Sequence, residues 1–270
     1  MDRYVVIGNP VAHSLSPRIH AHFAHALGES IEYAPLLVPE GAFASYARRF
    51  FEQGGVGANV TLPFKVDAFN WAQARSERAV LAEAANFLVA RGGRVEADNT
   101  DGAGLVADLT RNLGITLEGQ RVLILGAGGA TRGALGPLLA LAPRSVTIAN
   151  RTLSRAQELC DRFATHGRVH AAALERIPDE RFDLVINATS SGTKGEPLAL
   201  PAHVFAAGFA YDMAYGEGAR AFVAQARAAG ARASDGLGML VEQAAESYFL
   251  WRGRRPETRA ILAQLRGEPT

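Results

Sequence analysis

The chain has 270 residues, enough for two domains, and its 48% apolar content can build hydrophobic cores. Its 28 basic and 27 acidic residues nearly cancel, so no overall field favours nucleic acid or an anionic membrane, and a small-molecule partner fits better. The single cysteine, Cys160, excludes an internal disulfide, and no apolar run has the length of a signal peptide or membrane span, so we expect a cytoplasmic protein.

Short β-branched runs alternate with helical stretches from the N-terminus onwards. This alternation is typical of βα units on a parallel sheet, and after residue 119 it becomes regular enough to predict a doubly wound domain. We predict an α/β protein of two domains, with strands over 4–7, 57–60, 122–125, 145–149, 183–187 and 207–212, and helices over 17–27, 66–74, 130–142 and 237–251.

Polar clusters interrupt the first part of the chain where predicted strands end. Loops at strand C-termini are where open α/β sheets bind ligands. Hydroxyls, amides, one lysine and one aspartate suit a small polyhydroxylated molecule. The candidate residues are Ser14, Ser16, Asn59, Thr61, Lys65, Asn86 and Asp101.

Ordinary structural roles stay open for several of these candidates. Ser16 followed by Pro17 is suited to start a helix, with the serine as N-cap. Asn59 and Thr61 could form a turn, and Lys65 could be a surface residue.

One pair among the candidates suits proton transfer. A ketone that accepts a hydride needs a proton on its oxygen, and a lysine hydrogen-bonded to a carboxylate can supply it. We therefore predict that Lys65 and Asp101 form the acid/base pair. We expect no metal site, because no acidic or cysteine ligand accompanies the nearby histidines, which are His13, His20, His22 and His25.

A glycine-rich turn separates the strand over 122–125 from a helix. Such a turn brings the backbone close to a pyrophosphate and offers free N–H groups at the helix start. Thr131 stands where a third glycine is usual, and a tight strand-to-helix connection remains the alternative. The predicted dinucleotide contacts are Gly126, Ala127, Gly128, Gly129 and Ala130.

The end of the next strand indicates which dinucleotide binds. NAD-binding proteins usually have an acidic residue there, whereas this chain has Asn150, Arg151 and Thr152, followed by Arg155. Guanidinium groups suit a phosphate through paired, charge-assisted hydrogen bonds, which favours the 2′-phosphate of NADP(H). The alternative is that both arginines are solvated helix residues.

The last long helix carries an apolar stripe, so we expect it to pack on a core. The stripe comprises Leu237, Leu240, Val241, Ala244, Tyr248 and Trp251.

The ordered set of motifs resembles the shikimate dehydrogenase family over nearly the whole chain. The matching pieces are 8–20, 59–65, Asn86, 99–102, 126–130, 150–152, 187–192, 212–215 and 236–245. Three departures from the family pattern are Phe87, where threonine is common, Thr193, where methionine is frequent, and Arg220-Ala221, where a Thr-Pro pair is usual after Tyr215.

The resemblance implies NADPH-dependent, reversible reduction of 3-dehydroshikimate to shikimate, on the route to chorismate and the aromatic amino acids. It implies a substrate domain with a mainly parallel sheet, 1–101 plus 237–270, and a Rossmann-type NADP-binding domain, 102–236. A monomer or homodimer is expected, with no nucleic-acid or membrane partner.

The resemblance also implies the residue roles. Ser14, Ser16 and Tyr215 would hold the substrate carboxylate, and Met213 and Gly236 would line the nicotinamide end. The ring oxygens would be read by Thr61, Asn86, Asp101 and Gln243, with Asn59 beside them and Lys65 as acid/base.

Three alternatives remain open from the residues. A broad quinate/shikimate dehydrogenase shares the Lys–Asp pair, although Arg151 disfavours an NAD-using form. A noncatalytic dinucleotide-sensing module would leave Lys65 and Asp101 without a role. Another two-domain NADP enzyme could act on a different cyclic acid.

Overall fold

The computed structural model describes residues 1–189, 198–206 and 208–268. The chain divides into two compact units. The first comprises Met1–Gly104 and Leu240–Thr270, and the second comprises Leu105–Met239. No helix in the described ranges is both long enough and apolar enough to cross a membrane.

The first unit contains a six-stranded sheet with helices between its strands. Its strands are β1 Asp2–Gly8, β2 Ile31–Leu37, β3 Gly55–Val60, β4 Ala74–Arg75, β5 Phe87–Arg91 and β6 Arg94–Asp98. Its helices are α1 Ser16–Ala26, α2 Phe43–Glu52, α3 Lys65–Trp71, α4 Glu77–Ala82 and the start of α5 Asp101–Ala107, followed after the second unit by α9 Leu237–Arg252 and α10 Arg259–Arg266.

The strand order of this sheet is β2-β1-β3-β5-β6-β4. The pairs β1–β2, β1–β3 and β4–β6 are parallel, while β5 runs antiparallel to both β3 and β6. Because β5 is antiparallel to both of its neighbours, β6 runs in the same direction as β1 and β3. The carboxyl ends of these three strands therefore lie at one edge of the sheet, which brings the segments after Gly8, Val60 and Asp98 to the same side.

The predicted helix over 66–74 is too long. It ends at Trp71, and Ala74–Arg75 instead pairs with β6 as β4. The hairpin of β5 and β6 was not predicted, although Gly92 and Gly93 both have positive φ, as a two-residue hairpin turn requires.

The second unit contains a six-stranded sheet in which every pairing is parallel. The strand order β12-β11-β10-β7-β8-β9 is that of a Rossmann-type sheet. The strands are β7 Arg121–Leu125, β8 Ser145–Asn150, β9 Val169–Ala173, β10 Leu184–Asn187, β11 Phe209–Asp212 and β12 Arg232–Ser234, and the helices between them are α6 Gly129–Leu139, α7 Leu153–Phe163 and α8 Glu217–Ala228.

These strands confirm the predicted α/β class and the Rossmann-type second half. The predicted strand over 207–212 is β11, which begins at Phe209, and Ala207 lies outside the described residues. The core beneath this sheet includes Leu123, Leu125, Val185 and Phe222. The central strands β7 and β10 are covered on both faces, and they are therefore nearly continuous apolar runs rather than alternating ones.

Helix α9 is buried well beyond its predicted apolar stripe. Glu242, Gln243 and Ser247 are buried on it together with Val241 and Ala244. Such a helix carries polar side chains inside a core, where they need hydrogen-bond partners.

The far end of α9 is fastened to the first unit in two ways. Arg252 forms ion pairs with Asp2 and with Glu29, the latter at 2.7 Å between Nε and Oε2. The Trp251 indole donates to the Leu88 carbonyl at 3.0 Å and lies against β3, where a Cβ on Gly57 would come within 2.2 Å of it. Gly57 therefore provides the room that this contact requires.

Candidate active site and dinucleotide pocket

The predicted acid/base residues are in contact in the first unit. Lys65 opens α3 and Asp101 opens α5, 36 residues later, and Nζ lies 2.6 Å from Oδ2. The aspartate is almost buried, while the lysine side chain keeps 24% of its surface exposed. The pair therefore has one anchored partner and one partner that a ligand can reach.

The Asp101 carboxylate is held from two further directions. The second carboxylate oxygen, Oδ1, accepts from Asn86 Nδ2 at 2.9 Å. The backbone N–H of Asp101 donates to Asn99 Oδ1 at 3.1 Å. Asn99 is itself tied to the Ala84 carbonyl at 3.0 Å. This carboxylate is therefore prepositioned by the loop between β6 and α5.

Asn86 and Gln243 also belong to this cluster. Asn86 Nδ2 lies 3.3 Å from Gln243 Oε1, and Gln243 Nε2 donates to the Leu240 carbonyl at 2.8 Å. Helix α9 thus brings Gln243 to the Asn86 amide that holds the Asp101 carboxylate, although 157 residues separate Gln243 from Asn86 in the sequence. The departure at Phe87 leaves this arrangement in place, since the phenyl ring turns to stack on Trp251.

Asn59, a predicted substrate contact, is buried and hydrogen-bonded within the protein. Both of its amide N–H groups are engaged, one by the Asn86 carbonyl at 3.2 Å and one by Ser247 Oγ at 2.9 Å. Its Oδ1 accepts from the Tyr33 hydroxyl at 2.8 Å.

Three polar residues of this cluster lay outside the predicted site: Tyr33, Thr100 and Ser247. Tyr33 is on the edge strand β2, Thr100 precedes Asp101, and Ser247 is one helical turn beyond Gln243. Thr100 lies inside the motif over 99–102, and Ser247 is a small polar residue within an apolar helix, so these two had a sequence signal and Tyr33 had none.

The serine segment after β1 shows no N-capping by Ser16. Helix α1 begins at Ser16 itself, Leu15 occupies the cap position, and no side chain caps it. Instead, Ser14 Oγ accepts from the Ser16 N–H at 3.2 Å. Thr61 is half-buried, and its backbone N–H donates to Ile7 at 2.9 Å, which ties the loop after β3 to the end of β1.

His20 is buried in an aromatic cluster. Its ring stacks on Tyr33 at 4.2 Å between centroids and lies near Phe23, Tyr248 and Trp251. Burial lowers the pKa of His20 from 6.5 to about 3, against a weaker opposing contribution from the neighbouring Asn59 amide. The ring is therefore neutral at physiological pH. No group of three or more His, Cys, Asp or Glu residues in the described part of the chain could hold a metal ion.

In the second unit, the glycine turn follows β7 as predicted. Gly126 has φ of +101°, and a Cβ there would lie 3.1 Å from the Ala188 carbonyl oxygen, so only glycine adopts this turn without strain. Thr131, at the place of the usual third glycine, is buried and donates to the Gly126 carbonyl at 2.7 Å. Its hydroxyl therefore supports the turn.

A cavity of about 430 Å³ opens beside this turn. A Cβ on Gly128 or Gly129 would meet no atom within 4 Å, so the start of α6 has free space in front of it. Arg151 and Arg155 line the cavity with solvent-exposed side chains. A backbone turn at a helix start beside two exposed guanidinium groups fits a dinucleotide that carries an additional phosphate.

Asn150 ties this cavity to the turn. Its Oδ1 accepts from the Ala127 N–H at 3.2 Å, and its Nδ2 donates to the Thr152 carbonyl at 2.8 Å. Ala130 lies in the first turn of α6 and Thr152 is the residue before α7. The motif over 190–192 and Thr193 lie outside the described residues.

The remaining predicted contacts follow β11 and β12 in the second unit. Met213 is half-buried and Tyr215 is partly exposed. A Cβ on Gly236 would lie 2.4 Å from the Met213 carbonyl oxygen, so Gly236 lets the two segments touch. Just before Met213, Asp212 accepts from Asn187 Nδ2 and from the Ala214 N–H, both at 2.8 Å. Burial raises the pKa of Asp212 from 3.8 to about 6.

The Rossmann-type sheet, the glycine turn and the arginine-lined cavity define a dinucleotide-binding protein, with a separate unit that carries a partly buried Lys–Asp pair. Sequence comparison assigns its family. Residues 6–88 match the shikimate dehydrogenase substrate binding domain, residues 108–195 match shikimate / quinate 5-dehydrogenase, and residues 236–266 match the shikimate 5'-dehydrogenase C-terminal domain. The chain belongs to the shikimate dehydrogenase family.

Individual relatives agree with this assignment. A curated relative from Alkalilimnicola ehrlichii, named shikimate dehydrogenase (NADP(+)), is 51% identical, with 99% of both chains covered. The crystal structure of an Ael1 enzyme from Pseudomonas putida has a TM-score of 0.94 and 46% identity, with 98% of both chains covered. Shikimate 5-dehydrogenase from Thermus thermophilus, solved with NADP(H) and shikimate, has a TM-score of 0.85 and 31% identity, with 99% of both chains covered.

Proposed function

We propose that this chain is an NADP-dependent oxidoreductase that reversibly reduces 3-dehydroshikimate to shikimate, a step towards chorismate and the aromatic amino acids. The observation that carries this function is the 2.6 Å Lys65–Asp101 contact inside a cluster of amides and hydroxyls, in a chain of this family. The arginine-lined cavity of the second unit supports NADP(H) as the cofactor.

In the reducing direction, bound NADPH supplies a hydride to the ketone carbon. Lys65 donates a proton from Nζ to the ketone oxygen, and it takes a proton from the alcohol in the reverse direction. Asp101 holds the ammonium group in place and stabilises its charge. Because Asn86 and the Asp101 backbone N–H fix this carboxylate, the lysine returns to the same position after each transfer.

The substrate's other groups are assigned to residues at the carboxyl edge of the first sheet. We assign the carboxylate to Ser14 and Ser16, together with Tyr215 of the second unit. We assign the ring oxygens to Thr61, Asn86, Asp101 and Gln243. Asn59, with both N–H groups engaged, supports this set through its contact with the Asn86 carbonyl.

Cofactor contacts are assigned to the second unit. The turn from Gly126 to Ala130 offers backbone N–H groups to the pyrophosphate, and Arg151 and Arg155 pair with the 2′-phosphate. Asn150 and Thr152 shape the same end of the cavity, and Met213 and Gly236 are assigned to the nicotinamide end. The substrate domain then comprises 1–101 plus 237–270 and the NADP-binding domain 102–236, in a cytoplasmic monomer or homodimer.

The test is an assay of purified protein with every combination of two cofactors and two substrates. We expect NADP+ reduction with shikimate to exceed that with quinate by a wide margin, and NAD+ to serve poorly. Comparable rates on quinate would indicate a broad quinate/shikimate dehydrogenase. Tight NADP+ binding without turnover of either acid would indicate a dinucleotide-sensing protein.

A further inference from the structure

A continuous series of buried hydrogen bonds runs through the first unit behind the Lys65–Asp101 pair. It links Tyr33 to Asn59 at 2.8 Å, Asn59 to Ser247 at 2.9 Å and Ser247 to Thr100 at 3.2 Å. Thr100 and Ser247 are fully buried. These four residues, the hydroxyl–amide chain, come from four separate segments, so only the folded unit assembles them.

The orientation of the Asn86 amide is set by its neighbours. A carboxylate only accepts and a backbone N–H only donates. Asn86 faces Asp101 Oδ1 at 2.9 Å on one side and the Thr100 N–H at 2.7 Å on the other. Its NH2 must therefore point to the carboxylate and its oxygen to Thr100.

The direction of donation along the hydroxyl–amide chain follows in the same way. The Asn86 carbonyl only accepts, so the Asn59 group facing it is the NH2, whose second hydrogen goes to Ser247. Ser247 Oγ lies 3.2 Å from Thr100 Oγ1, where either hydroxyl can be the donor, and Thr100 Oγ1 also accepts from Asn86 Nδ2 at 2.9 Å. When Ser247 is the donor, the Thr100 hydrogen is shared between two amide oxygens, Asn86 Oδ1 at 3.2 Å and Gln243 Oε1 at 3.4 Å.

That hydrogen helps to orient Gln243. Thr100 Oγ1 lies 3.4 Å from Gln243 Oε1, which also faces Asn86 Nδ2 at 3.3 Å. Gln243 Nε2 donates one hydrogen to the Leu240 carbonyl. Among the contacts of the described residues, its second N–H has no acceptor, so Gln243 presents a donor to a ligand.

We propose that Thr100 and Ser247 are positioning residues that hold the Gln243 amide with an N–H directed at a ring oxygen of the substrate. This inference rests on the proposed function, which supplies a polyhydroxylated acid as the ligand. Without the Thr100 hydroxyl, Gln243 Oε1 keeps only its 3.3 Å contact with Asn86 Nδ2, and the amide is held less firmly. Substrate recognition weakens, while the second unit's cofactor contacts are untouched.

The test compares Thr100→Val, which keeps the shape and removes the hydroxyl, with Thr100→Ser, which keeps the hydroxyl. We expect the KM for shikimate to rise about tenfold in the valine variant and to recover largely in the serine variant, with the KM for NADP+ unchanged in both. Thr258→Val is the matched control, because it removes a different hydroxyl of this unit, which donates to Glu242 at 2.6 Å. That control is expected to lower stability without changing the KM for shikimate.

Substrate analogues that each lack one ring hydroxyl give a second readout. For the analogue that lacks the oxygen facing Gln243, the wild type should lose about tenfold in kcat/KM and Thr100→Val only about threefold, because the contact is already weakened. If Thr100→Val fails to fold, Ser247→Ala is used in the same comparison.

An unchanged KM in folded Thr100→Val and Ser247→Ala would overturn the inference, as would equal losses in the valine and serine variants. A wild type that does not oxidise shikimate would instead overturn the proposed function. The two failures are therefore distinguishable.

Discussion

The two units hold their functional groups by different means. In the first unit, Asp101, Asn86 and Gln243 are buried, and the Asn86 amide is hydrogen-bonded to both of the others. In the second, a backbone turn is shaped by glycine, while Arg151 and Arg155 extend into solvent at the start of α7. Groups that must meet the reacting atoms are held by the fold, whereas the guanidinium groups assigned to a phosphate have solvent-exposed side chains.

The largest effect is expected from the first unit's reactive pair. Lys65→Met keeps the side-chain length and removes the ammonium group, so kcat should fall by ~10² to 10⁴, the usual range for a positioned acid/base. NADPH affinity, measured by fluorescence titration, should stay unchanged because the lysine belongs to the other unit. A kcat within a few-fold of wild type would remove Lys65 from the mechanism.

Acid should destabilise the protein through His20. Its folded-state pKa of about 3 lies below its ordinary 6.5, so protons bind preferentially to the unfolded chain. The stability it contributes is fully present above pH 6.5 and is lost as the pH falls towards 3, by about 5 kcal/mol in total. Urea unfolding across this range should show a shallower pH slope for His20→Phe. Parallel slopes in the two proteins would contradict the assignment.

The second unit should show the opposite sign through Asp212. Its folded-state pKa of about 6 lies above the ordinary 3.8, so the folded protein holds the proton longer. The contribution is present below pH 3.8 and is lost as the pH rises through 6, by about 3 kcal/mol. Relative to wild type, Asp212→Asn should therefore gain stability between pH 4 and pH 6 in urea unfolding. A constant difference over that range would show that Asp212 titrates normally.

The smallest effects are expected at the exposed arginines. Arg151→Ala and Arg155→Ala should each raise the KM for NADP+ about tenfold, the loss expected for one charge-assisted hydrogen bond. The KM for shikimate and the weak activity with NAD+ should not change. Arg162→Ala is the control, because this arginine is also on α7 but does not line the cavity. An equal loss with NAD+ would show that the arginines do not recognise the 2′-phosphate.

Much of the second unit could be predicted from local sequence. Buried parallel strands are continuous apolar runs, and the glycine turn between β7 and α6 is visible without the fold. The first unit was harder to predict, since β2 is a half-buried edge strand and β4 has only two residues. The Gly92-Gly93 pair was a usable hairpin signal that was not taken into account.

The sequence by itself determined the chemistry available to this protein: a lysine, an aspartate, several amides and hydroxyls, a glycine turn and two arginines after a strand. Tertiary structure decided which of these groups share hydrogen bonds. Ser247 is visible only as a polar residue in an apolar helix, and Tyr33 carries no local sign of its role. Their partner, Asn59, is 188 and 26 residues away in sequence and is brought into contact only by the fold. The direction in which each amide donates follows from neighbours that only accept or only donate, and packing alone supplies those neighbours.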